Sequence, residues 1–181
     1  IRNNFCFTSQ SFIKTERSQI ENVNFGPSYN DKDTDIDSLI KIFNLNFTKF
    51  EDYKDVVELL VDDKVIGFFN GRSEFGPRAL GNRSIIADPR NSDAQKKINL
   101  KIKFRESFRP FAPIILEDHA GDYFQECKKS PFMQKTYYLK KDKLIKNLKS
   151  TDRDIFSKVN EIRSVVPAIT HVDYSARVQT V

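Results

Sequence analysis

The sequence predicts an α/β (α+β) fold, in which helices pack on a twisted, mixed β-sheet. Three observations predict it: several segments carry apolar residues at helical spacing, short apolar runs bounded by turn residues lie between them, and 39% of the 181 residues are hydrophobic. A chain of this length and composition can form one domain with a well-buried core. Residues 1–25 are polar and weakly patterned, so we expect an arm or linker there and one domain over residues 26–181.

Two amphipathic helices are predicted first, over residues 35–44 and 52–60. The first has apolar residues at i, i+3, i+4 and i+7, namely Ile36, Leu39, Ile40 and Phe43. The second offers four apolar side chains to the core, namely Val56, Val57, Leu59 and Leu60.

A strand is predicted next over Val65–Phe69, and its continuous apolar character favours an internal position in the sheet. A short strand over Ser84–Ala87 follows. The next helix covers residues 92–102, with Ser92 as its N-cap. Its buried line comprises Ala94, Ile98 and Ile102, and a separate face carries Lys96, Asn99 and Lys103.

The second half of the chain is predicted from shorter signals. Residues 105–113 are too proline-rich for a helix and lead into a strand at residues 114–116. A short helix is expected over 119–124, a strand over 135–139 and a solvated, charged excursion over 140–160. Residues 168–181 predict two strands about a turn near residues 173–176, and this β-like ending leads us to expect that the natural protein continues.

The run from Gly71 to Ser84, called here the glycine-rich loop, is the most informative motif of the chain. It places three arginines, glycines and a proline directly after the predicted strand Val65–Phe69. Exposed backbone N–H groups and guanidinium groups that converge after a strand are a common way to hold an anion. The loop therefore predicts a phosphate or carboxylate site.

The positive charge of the chain is concentrated near this loop. Residues 72–109 contain ten basic and four acidic side chains, a net charge of +6, whereas the whole chain carries +5. The rest of the chain is therefore close to neutral. This local excess favours an anionic partner for one surface of the domain.

Other features exclude several classes of protein. No apolar stretch approaches the roughly 20 residues of a membrane span, and the N-terminal residues do not resemble a signal peptide, so we expect a soluble, cytoplasmic protein. Cys6 and Cys127 lie far apart, and no Cys or His stands near either at metal-ligand spacing. We expect reduced, structural cysteines and no metal site in this chain.

Several blocks of the sequence are specific enough to indicate a family. The first is Gly71-Arg-Ser-Glu-Phe-Gly-Pro-Arg-Ala-Leu-Gly-Asn-Arg-Ser-Ile85 with Ala87-Asp-Pro-Arg90. Later blocks are Asn99, Ile102-Lys103, Arg105-Glu106, Phe108-Arg-Pro-Phe-Ala-Pro113, Ser130-Pro-Phe-Met133, Pro167-Ala, Thr170-His-Val-Asp173 and Ala176-Arg-Val-Gln-Thr-Val181. In this order they resemble the O-carbamoyltransferases of the nodulation-protein and antibiotic-tailoring type, over about residues 26–181.

The resemblance implies a fold and a reaction. Members of that family join an N-terminal transferase domain, where a metal (Fe) sits and a hydroxyl acceptor is carbamoylated, to a domain similar to YrdC/Sua5. The YrdC-like domain uses ATP, with Mg²⁺, and carbamoyl phosphate to make carbamoyladenylate. This chain looks like that C-terminal domain, truncated at its own C-terminus, with residues 1–25 as the arm from a missing transferase domain. Its expected partners are these small molecules and that missing domain, with no membrane and no nucleic acid.

The resemblance and the placement of the cations together suggest the site residues. Arg78, Lys103 and Arg109 are expected to carry catalysis by holding the phosphates of carbamoyl phosphate and ATP, because this chemistry needs positioned cations more than acid–base groups. Further binding residues are expected at Asn82, Arg83, Ser84, Arg105, His171 and Arg177. Glu74, the only acid of the loop, is expected to orient an arginine.

Two local features complete these expectations. Tyr174 stands where the family usually has Gly, and a tyrosine resists the positive-φ turn that Gly would allow. Four aromatic residues interleave with the cations, and we expect them to pack beneath the loops rather than stack on bases: Phe75, Phe104, Phe108 and Phe111.

Two other functions fit the same residues. A basic patch with aromatic side chains is also typical of a nucleic-acid-binding module, and YrdC-like relatives act in tRNA modification. Tight spacing in Gly- and Pro-shaped loops favours a small pocket instead. The third possibility is an inactive remnant that binds an anion without turnover.

Overall fold

The computed structural model describes residues 20, 22–27, 36–46, 48, 52–145 and 161–181. The expectations for Cys6, for most of the N-terminal arm and for most of the charged excursion at residues 140–160 lie outside the described residues. Within them, helices and strands both occur, which confirms the mixed fold class. No helix in these ranges is long and apolar enough to cross a membrane.

Four α-helices are described: α1 (Ile36–Ile42), α2 (Lys54–Val61), α3 (Ala94–Lys101) and α4 (Glu117–Tyr123). The strands are β1 (Ile66–Phe69), β2 (Arg83–Ile86), β3 (Ile114–Ile115), β4 (Thr136–Tyr138), β5 (Ser175–Arg177) and β6 (Gln179–Thr180). Two short 3-10 helices cover Lys141–Lys143 and Pro167–Ile169. Most predicted elements are therefore present, with ends shifted by at most two residues.

The strands described form three two-stranded sheets rather than the single sheet that was predicted. β1 pairs antiparallel with β2, β4 pairs antiparallel with β5, and β3 pairs parallel with β6. The internal position predicted for β1 is wrong, because β2 is its one neighbour in this sheet and Phe69 is 62% exposed. Periodicity shows which residues are apolar, but strand neighbours depend on distant segments of chain.

The hydrophobic core lies in the second half of the chain. Its fully buried members are Phe124, Leu139, Val166, Ile169, Ala176 and Val178. Burying each large apolar side chain of this kind contributes about 1.5–3 kcal/mol. The core is thus formed around β5 and the residues that follow it. Cys127, a free thiol, packs against this cluster, and its burial, followed by the charge of Glu117, raises the pKa of the thiol.

Three predictions about helix faces are wrong. α2 has no buried residue, and Val57 and Leu59 are 54% and 46% exposed. In α3 the predicted buried line ends at Ile98, because Ile102 lies beyond the helix and is 41% exposed. Asn99, placed on a polar face by its spacing, is completely buried.

The predicted N-cap of α3 also differs from the structure. The N-cap is Asp93 rather than Ser92, and Asn91 accepts a hydrogen bond from the Asp93 N–H at 2.7 Å.

The C-terminal segment, residues 171–181, also differs from the prediction of two strands about a turn. A 3-10 helix precedes the turn, and both strands, β5 and β6, follow it. The turn itself is closed by hydrogen bonds from the N–H of His171 to the carbonyl of Ser175 and from the N–H of Tyr174 to the carbonyl of His171. Tyr174 adopts φ +65°, so the turn that was expected to favour glycine forms with tyrosine in its place. The surrounding bonds hold the backbone there against its steric preference.

Candidate anion-binding site

The glycine-rich loop connects two paired strands, so its ends are fixed. β1 ends at Phe69 opposite Arg83, the first residue of β2. The N–H of Asn70 donates to the carbonyl of Asn82 at 2.9 Å and extends the pairing by one step. Everything between these residues is a hairpin connection whose shape depends on its own polar side chains.

Glu74 organises this connection from inside. Its Oε1 accepts hydrogen bonds from the backbone N–H groups of Leu80 and Asn82 at 2.7 Å each, and from that of Arg83 at 3.4 Å. Partial burial acts to raise the pKa of Glu74, but these backbone donors together outweigh it and lower the pKa below its usual value. Glu74 therefore orients the backbone of the loop, and the prediction that it orients an arginine is wrong.

Two of the three loop arginines, Arg72 and Arg83, donate hydrogen bonds to backbone carbonyls and so hold the loop in shape. Arg83 donates from Nη1 to the carbonyl of Asn70 at 2.9 Å and from Nη2 to that of Gly71 at 3.0 Å, and its guanidinium lies 3.5 Å from the ring centroid of Phe69. Arg72 donates to the carbonyls of Phe25 and Gly26, which ties the described residues 22–27 to the loop. Polar neighbours have similar roles: Asn82 donates to the carbonyl of Arg72, and Ser84 accepts from the N–H of Gly81.

Arg78 is the exception. Its half-buried side chain forms no hydrogen bond or ion pair with any other described residue. A second guanidinium, that of Arg177 on β5, lies close enough for the two charges to repel. Burial first, and then the charge of Arg78, lowers the pKa of Arg177.

The Nε atom of Arg177 is buried and has no hydrogen-bond partner among the described residues. Buried donors are satisfied in the great majority of cases, and an unpaired one costs about 1–3 kcal/mol. Two neighbouring cations without an acid between them add to that cost. This combination is typical of a site that is completed by an anion from outside.

Gln179 explains how residues so distant in sequence come together. Its side chain is buried, and Nε2 donates to the carbonyl of Leu80 at 2.8 Å, across 99 residues of sequence. Leu80 lies two residues after Arg78, and Gln179 lies two residues after Arg177. This bond holds the stretch of the glycine-rich loop that carries Arg78 against the C-terminal segment that carries Arg177.

His171 borders the same cluster. Its Nδ1 lies 3.0 Å from the Oγ of Ser175, whose hydroxyl donates to Oδ1 of Asp173 at 2.7 Å. Burial lowers the pKa of His171, Asp173 opposes that effect, and Arg177 adds to it. The hydrogen bond from Ser175 is the main cause that lowers the pKa of Asp173. The neutral imidazole is therefore favoured beside the guanidinium of Arg177.

The second basic loop, residues 103–111, is organised differently. Asn99 donates from Nδ2 to the carbonyls of Ser107 and Arg109, and its Oδ1 accepts from Nε of Arg105 at 2.7 Å. Arg105 also lies over the ring of Phe111, 5.1 Å from its centroid. Asn99 is buried because it satisfies three polar groups of this loop at once.

Lys103 and Arg109 belong to this second loop. The guanidinium of Arg109 pairs with Glu106 at 2.8 Å on an exposed surface, and the Lys103 amine is exposed without a hydrogen bond or ion pair among the described residues. The structure thus brings together Arg78, Arg177 and His171. That Lys103 and Arg109 act on the same ligand stays a prediction.

The aromatic residues near these loops are mostly on the surface. Phe75, Phe104 and Phe108 are 69%, 85% and 51% exposed, so the prediction that they pack beneath the loops is wrong for these three. Phe111 packs against the core and lies under Arg105. In the described part of the chain, no group of three or more His, Cys, Asp or Glu side chains is arranged to hold a metal ion.

Comparison with known proteins identifies the family. The sequence pattern described as Carbamoyltransferase C-terminus matches residues 57–181, which include the glycine-rich loop, the second basic loop and the C-terminal segment. The chain belongs to the carbamoyltransferase C-terminus family. The resemblance seen in the sequence motifs is confirmed.

Individual relatives agree with this assignment. The carbamoyltransferase C-terminal domain is 52% identical over 128 residues to an uncharacterized protein, sll1178, of Synechocystis, covering 70% of this chain and 21% of that protein. It is 36% identical over 171 residues to nodulation protein NolO of Bradyrhizobium diazoefficiens, covering 91% of this chain and 28% of NolO. It is 42% identical over 127 residues to nodulation protein NolNO of Sinorhizobium fredii, covering 68% of this chain and 16% of NolNO. The chain thus spans between a sixth and just over a quarter of the length of these relatives.

Several residues that shape the site carried no usable signal in the sequence. Gln179 and Ser175 are ordinary polar residues in a β-like run. Gln179 bonds a carbonyl 99 residues away, and Ser175 bonds side chains of the turn directly before it. Asn99 has a local signal, since an amide in a helix just before a proline-rich loop can bond that loop's carbonyls. The sequence analysis also missed the burial of Arg163. This residue is only 6% exposed, and its Nη2 has no hydrogen-bond partner among the described residues.

Proposed function

We propose that this carbamoyltransferase C-terminal domain binds carbamoyl phosphate and ATP and activates the carbamoyl group as carbamoyladenylate, for transfer to a hydroxyl acceptor in another domain of a cytoplasmic enzyme. The observation that carries the proposal is the pair Arg78 and Arg177, which approach each other without an acidic partner, with the Nε of Arg177 buried and unpaired. A phosphate between them would satisfy the buried donor and remove the repulsion.

The reaction needs this arrangement. Carbamoyl phosphate loses its phosphoryl group to water, giving carbamate and phosphate. A carbamate oxygen then attacks the α-phosphorus of ATP and displaces pyrophosphate. Polyanions must be held together during these steps, so fixed cations aimed at the phosphate oxygens lower the barrier more than a general base would. Mg²⁺ enters as part of the MgATP substrate.

The residues have separate roles in this proposal. Arg78 and Arg177 grip a phosphate with their planar guanidinium groups, which suit bidentate binding. Lys103 and Arg109 reach the second polyanion from the neighbouring loop, where the exposed pair of Arg109 with Glu106 is weak enough to exchange for a ligand. Asn82, Arg83, Ser84 and Arg105 support the two loops through the hydrogen bonds described above.

A nucleic-acid-binding function is the second candidate. The exposed rings of Phe75, Phe104 and Phe108 favour it, because unstacked bases bind to aromatic surfaces beside cations. The unpaired buried donor of Arg177 favours the first candidate, since a buried nitrogen can meet a small anion more readily than an extended backbone.

Titration calorimetry on the full-length protein tests the proposal. Arg78→Ala and Arg177→Met should each weaken carbamoyl phosphate binding by about 2 kcal/mol, the scale of a lost charge-assisted hydrogen bond. Arg177→Met should not destabilise the fold, because it replaces a buried unpaired charge by an apolar side chain of similar length. The matched control is Arg90→Ala, which removes an exposed arginine already paired with Asp88 and should leave affinity unchanged.

The activation step requires a separate assay. Wild-type protein with ATP, Mg²⁺ and labelled carbamoyl phosphate should form carbamoyladenylate, and Lys103→Ala should slow its formation sharply. Absence of the adenylate in wild type contradicts the activation chemistry, and binding without turnover would leave an inactive anion-binding remnant. Tight, steeply salt-dependent binding of tRNA or duplex would favour the nucleic-acid function instead.

A further inference from the structure

The hydrogen bonds around His171 determine which of its two ring nitrogens carries a proton. Asp173 is ionised near neutral pH and accepts hydrogen bonds only. Its Oδ1 accepts from both the N–H and the hydroxyl of Ser175, at 3.0 and 2.7 Å. The single hydrogen of the Ser175 hydroxyl is therefore committed to Asp173.

The consequence for the imidazole follows from the same chain of bonds. Because the Ser175 hydroxyl has no second hydrogen to give, its 3.0 Å bond to His171 requires Nδ1 to be the donor. In a neutral imidazole Nε2 is then the acceptor. No described residue of the protein forms a hydrogen bond with Nε2. The hydrogen-bonded series Asp173–Ser175–His171 thus ends in Nε2 of His171, an acceptor that has no partner among the described residues.

This acceptor belongs to the cation cluster. Ser175 and Arg177 are alternate residues of β5 and so lie on the same face of that strand. His171 is bonded to Ser175, so its half-buried ring lies beside Arg177 at the edge of the proposed phosphate site, and the charge of Arg177 acts on it. A ligand that fits all three groups carries an anionic phosphate for the guanidinium groups and an N–H or O–H donor for Nε2. Carbamoyl phosphate has both, because its carbamoyl nitrogen bears two hydrogens. Acetyl phosphate, which has a methyl group in that position, has only the first.

We propose that His171 is a specificity-determining residue whose Nε2 accepts a hydrogen bond from the carbamoyl –NH₂ group and so selects carbamoyl phosphate over acyl phosphates that lack a donor. Ser175 and Asp173 are positioning residues that fix the imidazole tautomer. This inference rests on the proposed function, since it assumes that carbamoyl phosphate is the ligand. A site built to bond an N–H group rejects an analogue without one more strongly than an apolar pocket can.

The test compares three probes on the full-length protein: carbamoyl phosphate, acetyl phosphate and inorganic phosphate. Wild type should prefer carbamoyl over acetyl phosphate by about 10- to 100-fold, the range expected when a partly buried acceptor is left unpaired. His171→Asn keeps a side-chain amide near the Nδ1 position but has no atom near Nε2, so the preference should fall close to unity. His171→Gln places an amide oxygen near the Nε2 position and should restore part of the preference.

Controls separate selection from a general loss of structure. Affinity for inorganic phosphate should stay within about twofold in all variants, because phosphate contacts the arginines. If His171 were only structural, all three affinities would fall by the same factor. Ser175→Ala, which releases the tautomer without altering the ring, should lower the preference to an intermediate value and serves as the second variant if the His171 variants do not fold.

The outcomes distinguish this inference from the function on which it rests. If wild type binds carbamoyl phosphate well and His171→Asn keeps the full preference for carbamoyl over acetyl phosphate, the role of His171 is overturned. The proposed function is then unaffected. Wild type that binds inorganic phosphate but not carbamoyl phosphate overturns both. A preference lost in His171→Asn and partly restored in His171→Gln supports the acceptor role.

Discussion

The two regions that meet at the candidate site hold their arginines in opposite ways. The glycine-rich loop is shaped by polar bonds from Glu74 and Arg83 to its own backbone, and Arg78 projects from this frame without a partner. The C-terminal segment is shaped by burial: Ala176 and Val178, on either side of Arg177, are completely buried. Arg78 is thus held by the glycine-rich loop, called here the polar frame. Arg177 is held by the buried C-terminal segment, called here the hydrophobic frame.

The difference shows why positive charge alone does not identify the site. Arg72, Arg83, Arg90 and Arg109 are equally basic, yet each has a carbonyl or carboxylate partner among the described residues. Arg78 and Arg177 have none, and they come from the two different frames. Each frame fixes one cation without a partner of opposite charge, and in the proposed function an anionic ligand supplies that charge.

The largest effect on stability is expected from adding a side chain at a positive-φ glycine of the polar frame. Gly81 has φ +116°, a conformation in which a side chain is strained even though no atom lies within 4 Å of an added Cβ. Gly81→Ala should lower the free energy of unfolding by about 2 kcal/mol. Urea denaturation measures it. Gly121→Ala, inside α4 and also with open space, is the matched control and should raise stability by about 0.5–1 kcal/mol. Equal effects in the two variants would contradict the strain at Gly81.

The next effect tests the bond that joins the two frames. Gln179→Ala leaves the Leu80 carbonyl without its partner and should cost about 1–2 kcal/mol of stability. It should also weaken phosphate binding severalfold, because Arg78 is no longer held beside Arg177. Gln125→Ala breaks a similar bond, to the carbonyl of Leu139, but keeps the bond between Gln179 and Leu80, and it should leave phosphate affinity unchanged. Calorimetry on both variants decides whether Gln179 acts on the site.

A smaller effect concerns the turn that opens the C-terminal segment. Tyr174 has φ +65°, which glycine adopts without strain and alanine does not. Tyr174→Gly should therefore be more stable than Tyr174→Ala by about 1 kcal/mol, although both lose the aromatic ring. Thermal unfolding of the two variants gives this difference directly. An alanine variant at least as stable as the glycine variant would show that the turn has changed its conformation.

The smallest effect is the acid response of the polar frame. Because the pKa of Glu74 is lowered in the folded state, its stabilising contribution is complete above the ordinary value near 4.5 and is lost as the pH falls through the folded-state value. Glu74→Gln should be less stable than wild type at neutral pH, and the gap should narrow as the solution is acidified below pH 4.5. Glu106→Gln, in an exposed ion pair, is the control and should change stability little. A gap that is independent of pH would exclude this role of the carboxylate.

The sequence predicted the polar frame better than the hydrophobic one. Arg78 stands in a contiguous motif whose glycines and arginines are visible without tertiary information. Arg177 was identified through the family resemblance, because nothing local shows that its Nε is buried. Gln179 could not have been chosen, since its role depends on a carbonyl 99 residues away.

The errors in the fold have a similar origin. α2 has helical spacing, but spacing does not show what covers a helix, and its apolar residues Val57 and Leu59 are largely exposed. Asn99 was placed on a polar face by its helical spacing with Lys96 and Lys103, and amides are usually exposed. Three unsatisfied groups of the following loop reversed that preference. Strand partners were likewise set by distant pairing, which gave three small sheets in place of one.

The bond between Gln179 and Leu80 also has a consequence for the order in which the molecule forms. The hairpin of β1 and β2 joins neighbouring residues and closes a short stretch of chain, whereas the contact that aligns Arg78 with Arg177 must close a far longer one. Contacts of such long range form slowly and late in folding. During synthesis the glycine-rich loop is therefore complete well before its partner segment exists, and the candidate site can form only after residue 179 has been added to the chain.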